Sequence, residues 1–150
     1  MSADLRELYQ EVILDHGRRP RNFRKLDDGA RKAEGYNPLC GDKVTIYATV
    51  QNGVIQDAAF QGSGCAISTA AASVMTELVK GKSRAQADQL FRSFHALVTG
   101  NAPAAPTADL GKLAVFAGVR EFPTRVKCAT LAWHTLQAAL KGEHDTVSTE

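Results

Sequence analysis

Three cysteines and one aspartate occupy positions suited to chemistry. Cys40 lies in Gly35-Tyr36-Asn37-Pro38-Leu39-Cys40-Gly41-Asp42-Lys43, a turn in which Pro38 fixes its own φ and Gly41 can take backbone angles closed to other residues. Asp42 follows two residues on, so one turn can aim a thiol and a carboxylate at the same point. Cys65 comes directly after Gly62-Ser63-Gly64, where a helix is expected to begin, and the free N–H groups of such a start stabilise a thiolate. Cys128 falls in the first turn or so of the last predicted helix, with Arg125 and Lys127 adding positive charge. Three thiolates and a carboxylate satisfy a tetrahedral Zn²⁺, and cysteine is also the usual ligand of iron–sulfur clusters. The plain alternative for any one of them is core filler, because free Cys is among the most buried residue types. Two helix starts and a glycine-flanked turn favour chemistry over filling. Single, widely separated cysteines lack the Cys-x-x-Cys spacing that marks a metal site by itself, so metal site and reactive thiol both stay open here.

Composition sets the frame for that chemistry. A chain of 150 residues, 44% hydrophobic and 23% charged, is expected to form one globular domain and is not disordered wholesale. A formal charge of +2 is too small to argue for nucleic acid. No apolar run is long enough to cross a bilayer, and the charged N-terminus has no apolar signal core, so no membrane association and a cytoplasmic location are expected. An odd number of cysteines excludes a complete disulfide framework.

The elements that must position these side chains follow from periodicity. Leu5, Leu8, Tyr9, Val12 and Ile13 recur at helical spacing over Asp4 to Asp15, with Gly17 as a stop. A basic connector follows, His16-Gly17-Arg18-Arg19-Pro20-Arg21-Asn22-Phe23-Arg24, which reads as a solvated face or as a docking surface for an acidic partner. Val44, Ile46, Ala48 and Val50 alternate with polar residues, Asn52-Gly53 signals a hairpin, and Val54 to Phe60 returns. A weaker strand pattern spans Arg31 to Tyr36, making an antiparallel meander. Helices are predicted from Cys65 to about Val79, from Arg84 to Leu97 with Ser83 as cap, over Ala108 to Val119, and from a Thr124 cap to Lys141-Gly142. Strands first and helices after them indicate α+β. The polar stretch 142–150 reads as a frayed tail.

The histidines contribute little at this level. His134 is six residues past Cys128 and points away from it on a helix. His95 and His144 earn no ligand role, and His16 beside Asp15 is explained by a helix-end dipole interaction. Trp133 and Met75 read as core.

Three motifs in succession carry a resemblance. Asn37-Pro38-Leu39-Cys40-Gly41-Asp42, Gly62-Ser63-Gly64-Cys65-Ala66-Ile67-Ser68 and Arg125-Val126-Lys127-Cys128-Ala129 resemble the cysteine motifs of the U-type (IscU/NifU-type) iron–sulfur assembly proteins. Leu8-Tyr9, Asp15-His16 and Pro20-Arg21-Asn22 are similar to that family's N-terminal segment. The match is collinear from about Leu5 to Leu140. Within the family the chain resembles the SufU branch: scaffold members have a histidine directly before the third cysteine, where this chain has Lys127, and the stretch from Cys65 to Cys128 is longer than in scaffolds.

The resemblance implies a single domain over 1–150, with a small three-stranded antiparallel sheet packed against several helices (SufE/NifU-like). It implies Zn²⁺ held by Cys40, Asp42, Cys65 and Cys128. It implies a sulfurtransferase that accepts persulfide sulfur from a PLP-dependent, SufS-like cysteine desulfurase and passes it to downstream iron–sulfur assembly proteins. Cys40 is then the acceptor, as the one thiol on a loop, and Arg125 steadies the thiolate or Asp42. The alternatives are a scaffold for a transient [2Fe–2S] cluster and a non-enzymatic structural zinc module. An Asp ligand weighs against the last, because closed structural sites are usually built from Cys and His.

Overall fold

Alternation along one strand sets the sheet. Val44, Ile46 and Ala48 are buried along β2 (Asp42–Gln51), while Lys43 is exposed and Thr45 half-buried on the other face. Asn52 and Gly53, with φ of 55° and 77°, supply the left-handed pair that a tight hairpin needs, and the chain returns as β3 (Val54–Ser63). β1 (Arg31–Asn37) pairs antiparallel with the other edge of β2, from Arg31 opposite Ala48 to Asn37 opposite Asp42. The expected meander is present. A two-residue β4 (Val147–Ser148) adds to it, parallel to β1 at Gly35 and Tyr36, so the sheet order is β3-β2-β1-β4. The computed structural model describes residues 3–26, 29–38, 41–99, 107–142 and 147–148.

The helices surround this sheet in an α+β arrangement. α1 (Ala3–Arg18) continues through Gly17, where a stop was expected. That glycine lies against Ala66, the first residue of α2 (Ala66–Val79): a Cβ built on it would sit 3.4 Å from the Ala66 Cβ. α3 (Arg84–Thr99) opens at the expected Ser83 cap, and the capping is reciprocal. Ser83 Oγ accepts from the Gln86 N–H at 3.1 Å, and Gln86 Oε1 accepts from the Ser83 N–H at 2.9 Å. Two further expectations are corrected. Residues Thr107–Glu121 wind as a 3₁₀ helix instead of an α-helix; Gly111 and Gly118 weaken α propensity there, and the following Phe122 N–H still bonds to Val119 O at 2.8 Å, three residues back. α4 (Pro123–Lys141) begins ahead of Thr124, with Phe122 at the cap and Pro123 in the first turn, where a missing N–H costs nothing. Cys128 consequently lies well inside α4, past its first turn.

The core joins the inner sheet face to α2, α3 and α4. Ile46, Ile55, Met75, Phe94, Phe116, Leu131, Trp133 and Leu136 are all buried in it, each contributing about 1.5–3 kcal/mol on burial. Trp133 and Met75 are core, as expected. α4 approaches β1 closely enough that a Cβ on Gly35 would collide with Thr135 Oγ1. No described helix is long and apolar enough to cross a membrane.

The basic connector is stitched to the body. The Arg21 N–H donates to Ser73 Oγ at 2.8 Å, and its guanidinium donates to Asp15 Oδ2 at 2.6 Å. Asn22 Nδ2 donates to Thr76 Oγ1, Lys80 Nζ donates to Asn22 Oδ1, and Arg24 donates to the Asp57 carboxylate. Phe23 meets Phe60 edge-on at 5.2 Å. His16 belongs to the same seam, which corrects the dipole reading: it is 1% exposed, with Nδ1 2.7 Å from Ser73 Oγ and Nε2 3.7 Å from Glu77 Oε1. Burial, helped by the Arg21 charge, holds the His16 pKa below its usual range. The Arg21 hydrogen bond lowers the Asp15 carboxyl. For Asp57, burial pushes upward but the Arg24 and Lys80 bonds outweigh it, so its carboxyl also titrates low.

Candidate metal centre

The turn between β1 and β2 is built as its residues require. The Gly41 N–H closes onto Asn37 O at 2.8 Å, and Gly41 takes φ 73°, a left-handed angle open to glycine. Leu39 and Cys40, the predicted acceptor, lie outside the described residues; of the rest of the turn, Pro38 is half-buried and Gly41 exposed. Asp42, the first residue of β2, is fully buried. Its Oδ1 accepts from the Cys65 N–H at 2.9 Å, and the Cys65 thiol lies 3.8 Å from Oδ2. Gly64 makes this approach possible, because a Cβ there would stand 2.5 Å from Asp42 Oδ1.

Cys65 caps α2. Its extended backbone (φ −72°, ψ 167°) lets Sγ accept from the Ser68 N–H at 3.4 Å, a sulfur version of the usual Ser or Asp cap. It is half-buried, whereas Cys128 is fully buried. Cys128 Sγ receives Asn37 Nδ2 at 3.6 Å and lies 3.7 Å from the Thr124 carbonyl. Asn37 is the site residue that sequence reasoning missed. Alternation along β1 was the available signal, since Asn37 shares the inward face of Ala33 and Gly35.

One carboxylate oxygen and the sulfurs of Cys65 and Cys128 lie within 4.8 Å of one another. The donor types suit a tetrahedral zinc, whose bonds of about 2.3 Å to sulfur and about 2.0 Å to oxygen set such ligands roughly 3.5 Å apart, closer than the 4.8 Å within which this array lies. Of the predicted site residues, Asp42, Cys65 and Cys128 are thus brought together. Arg125 is exposed on α4, one turn ahead of Cys128, and Lys127 is half-buried. His134 stands apart, its ring edge-on to Phe91 at 4.9 Å; burial, with His95 nearby, lowers its pKa.

The family model described as "NifU-like N terminal domain" matches residues 8–129. The chain belongs to the NifU-like N-terminal domain family. Members named for both roles lie close to it. It is 42% identical over 93% of its length to the iron–sulfur cluster assembly scaffold protein IscU of Streptococcus pyogenes, covering 86% of that protein. It is 37% identical to the zinc-dependent sulfurtransferase SufU of Bacillus subtilis, with 95% of each chain covered. A crystal structure from Fervidobacterium islandicum, described as an iron–sulfur cluster assembly scaffold protein for the SUF system, superposes with a TM-score of 0.83 at 34% identity, covering 89% of this chain and 97% of that one. Membership in this family places the chain among iron–sulfur cluster assembly proteins.

Proposed function

We propose that this protein is a zinc-dependent sulfurtransferase that accepts sulfur from a PLP-dependent cysteine desulfurase of the SufS type. The observation that carries the reading is the convergence of Asp42, Cys65 and Cys128 at the foot of the turn that bears Cys40. Zinc, with Cys40 completing its ligand set, would keep thiolates deprotonated without redox chemistry of its own. In the transfer, the Cys40 sulfur attacks the outer sulfur of the partner's persulfide. A new S–S bond forms on Cys40, the partner's S–S bond breaks, and the desulfurase cysteine leaves as its thiolate, with no net oxidation. Asp42, Cys65 and Cys128 stay in place because each is fixed by strand, cap or helix, while Cys40 belongs to the connecting turn, between Leu39 and the exposed Gly41. Arg125, exposed one turn before Cys128, supplies positive charge toward the thiolates. Downstream iron–sulfur assembly proteins then take the sulfur. The similarity to the Bacillus sulfurtransferase and the lysine at position 127, where scaffold members have histidine, support this choice.

The test is alanine release by a cysteine desulfurase supplied with cysteine. The parent protein accelerates it and Cys40→Ser does not; undiminished stimulation by Cys40→Ser would sink the assignment. A second reading, a scaffold for a [2Fe–2S] cluster on the same residues, is favoured by the Streptococcus relative. Metal content and visible spectrum of protein purified without added metal separate the two: zinc and no visible absorption for the first, iron and a coloured chromophore for the second.

A further inference from the structure

Asn37 is tied to the candidate centre in three ways. Its main-chain carbonyl closes the turn by accepting the Gly41 N–H. It pairs across the ladder with Asp42. Its side chain, 0% exposed, donates from Nδ2 to Cys128 Sγ at 3.6 Å, a length in keeping with a large sulfur acceptor. A buried amide is costly unless it is bonded, and the preceding inward positions of β1 are the small Ala33 and Gly35. Asn37 offers a proton to Cys128 Sγ, whereas the Thr124 carbonyl beside it can only accept one.

We propose that Asn37 is a positioning residue for Cys128, directing its sulfur toward Asp42 and Cys65 and marking it as the anchored thiolate. An N–H donated to a thiolate draws charge from the sulfur and occupies one of its lone pairs, so the sulfur holds its place and is a poorer nucleophile. The effect is selective. Cys65 receives a main-chain N–H that no side-chain change can remove, whereas the donor to Cys128 is a side chain that can be replaced while the main-chain bond closing the turn remains. The inference rests on the metal-site reading above and names, within it, what keeps one ligand from taking part in transfer.

The test compares the parent with Asn37→Ala and Asn37→Asp in two measurements: zinc affinity by competition with a chromophoric chelator, and the sulfur-to-cobalt charge-transfer band of the Co²⁺-substituted protein. Loss of a partner that orients a ligand typically weakens metal binding by about 10–100-fold. Both variants are expected in that range, with Asn37→Asp the weaker binder because a carboxylate only accepts and repels a thiolate. In both, the band moves to lower energy, since an electron-richer sulfur gives up charge more readily. Zinc affinity within threefold of the parent overturns the proposal, as does weakened affinity with an unmoved band, which a packing role alone would produce. If Asn37→Ala does not fold by circular dichroism, the isosteric Asn37→Asp carries the same readouts. A parent that binds neither metal removes the metal-site reading and this inference with it. A binding parent with unaffected variants removes this inference alone.

Discussion

Two polar regions flank α2, one along its side from Ser73 to Lys80 and one at its Cys65 start, and they are made differently. Along the seam where α1 and the connector meet α2, nitrogen and oxygen partners stand 2.5–3.1 Å apart in pairs such as Lys80–Asn22, His16–Ser73 and Asn22–Thr76. Donors and acceptors match, and the network closes on itself. At the Cys65 end the contacts to sulfur are 3.4–3.8 Å long, and groups able to ligate a metal converge: a carboxylate and two thiols, with the Cys65 N–H, Ser68 N–H and Asn37 amide aimed at them. Burial of polar groups therefore does two jobs here. The closed network holds a helix in place; the convergent one holds reactive atoms in a fixed array.

The sharpest probe of this contrast is a pair of glycines. Gly64→Ala puts a methyl group 2.5 Å from Asp42 Oδ1, and is expected to weaken zinc binding by about 10–100-fold in chelator competition. Gly35→Ala drives the same methyl group into Thr135 Oγ1, outside the donor set. It should cost about 1–3 kcal/mol in urea unfolding and leave zinc bound per folded molecule unchanged. If Gly64→Ala proves harmless to metal binding, the site does not depend on that close approach. Ser73→Ala probes the other region. It strips a partner from both His16 and the Arg21 N–H, and urea unfolding should register about 1–3 kcal/mol with zinc affinity unaltered. An effect on zinc equal to that of Gly64→Ala would show that the two regions are not separable.

The smallest effect concerns pH. His16 and His134 are both held below the ordinary value of 6.5 by burial, so the unfolded chain takes up protons before the folded one does. Their contribution is complete above that value and is lost as pH falls toward the depressed folded pKa. Unfolding free energies of the metal-free protein should therefore decline as pH drops below about 6.5, and His16→Gln should flatten the decline. A flat profile in the parent would mean that His16 is not held neutral by its seam.

The two regions were not equally legible in the sequence. Strand alternation, Asn52-Gly53 and the Ser83 cap are local signals, and each appears where its residues indicated. Asp42, Cys65 and Cys128 were marked by residue type and by their glycine or helix-start surroundings. Asn37 was not, because its role comes from a residue 91 positions away and only strand parity hinted at its direction. His16 was misjudged for the same reason: its partner Ser73 is 57 residues distant, and a helix-end histidine looks alike whether it meets water or another helix. The start of α4 slipped because Pro123 can occupy the first turn, a role that competes with the capping preference of Thr124.

β3 is the outermost strand on its side of the sheet, a place where unpaired main-chain groups invite another chain to add a strand. Here several of those groups are already engaged. The Ile55 N–H goes to Lys82 O and Ile55 O takes the Gly81 N–H, the Ala58 N–H turns to the Asp57 carboxylate, and Phe60 exchanges both of its groups with Asn22 and Arg24. The arginine-rich connector, together with the turn after α2, therefore also acts as a selvedge. Together they bind off much of the woven edge, which works against seaming one molecule to the next along β3.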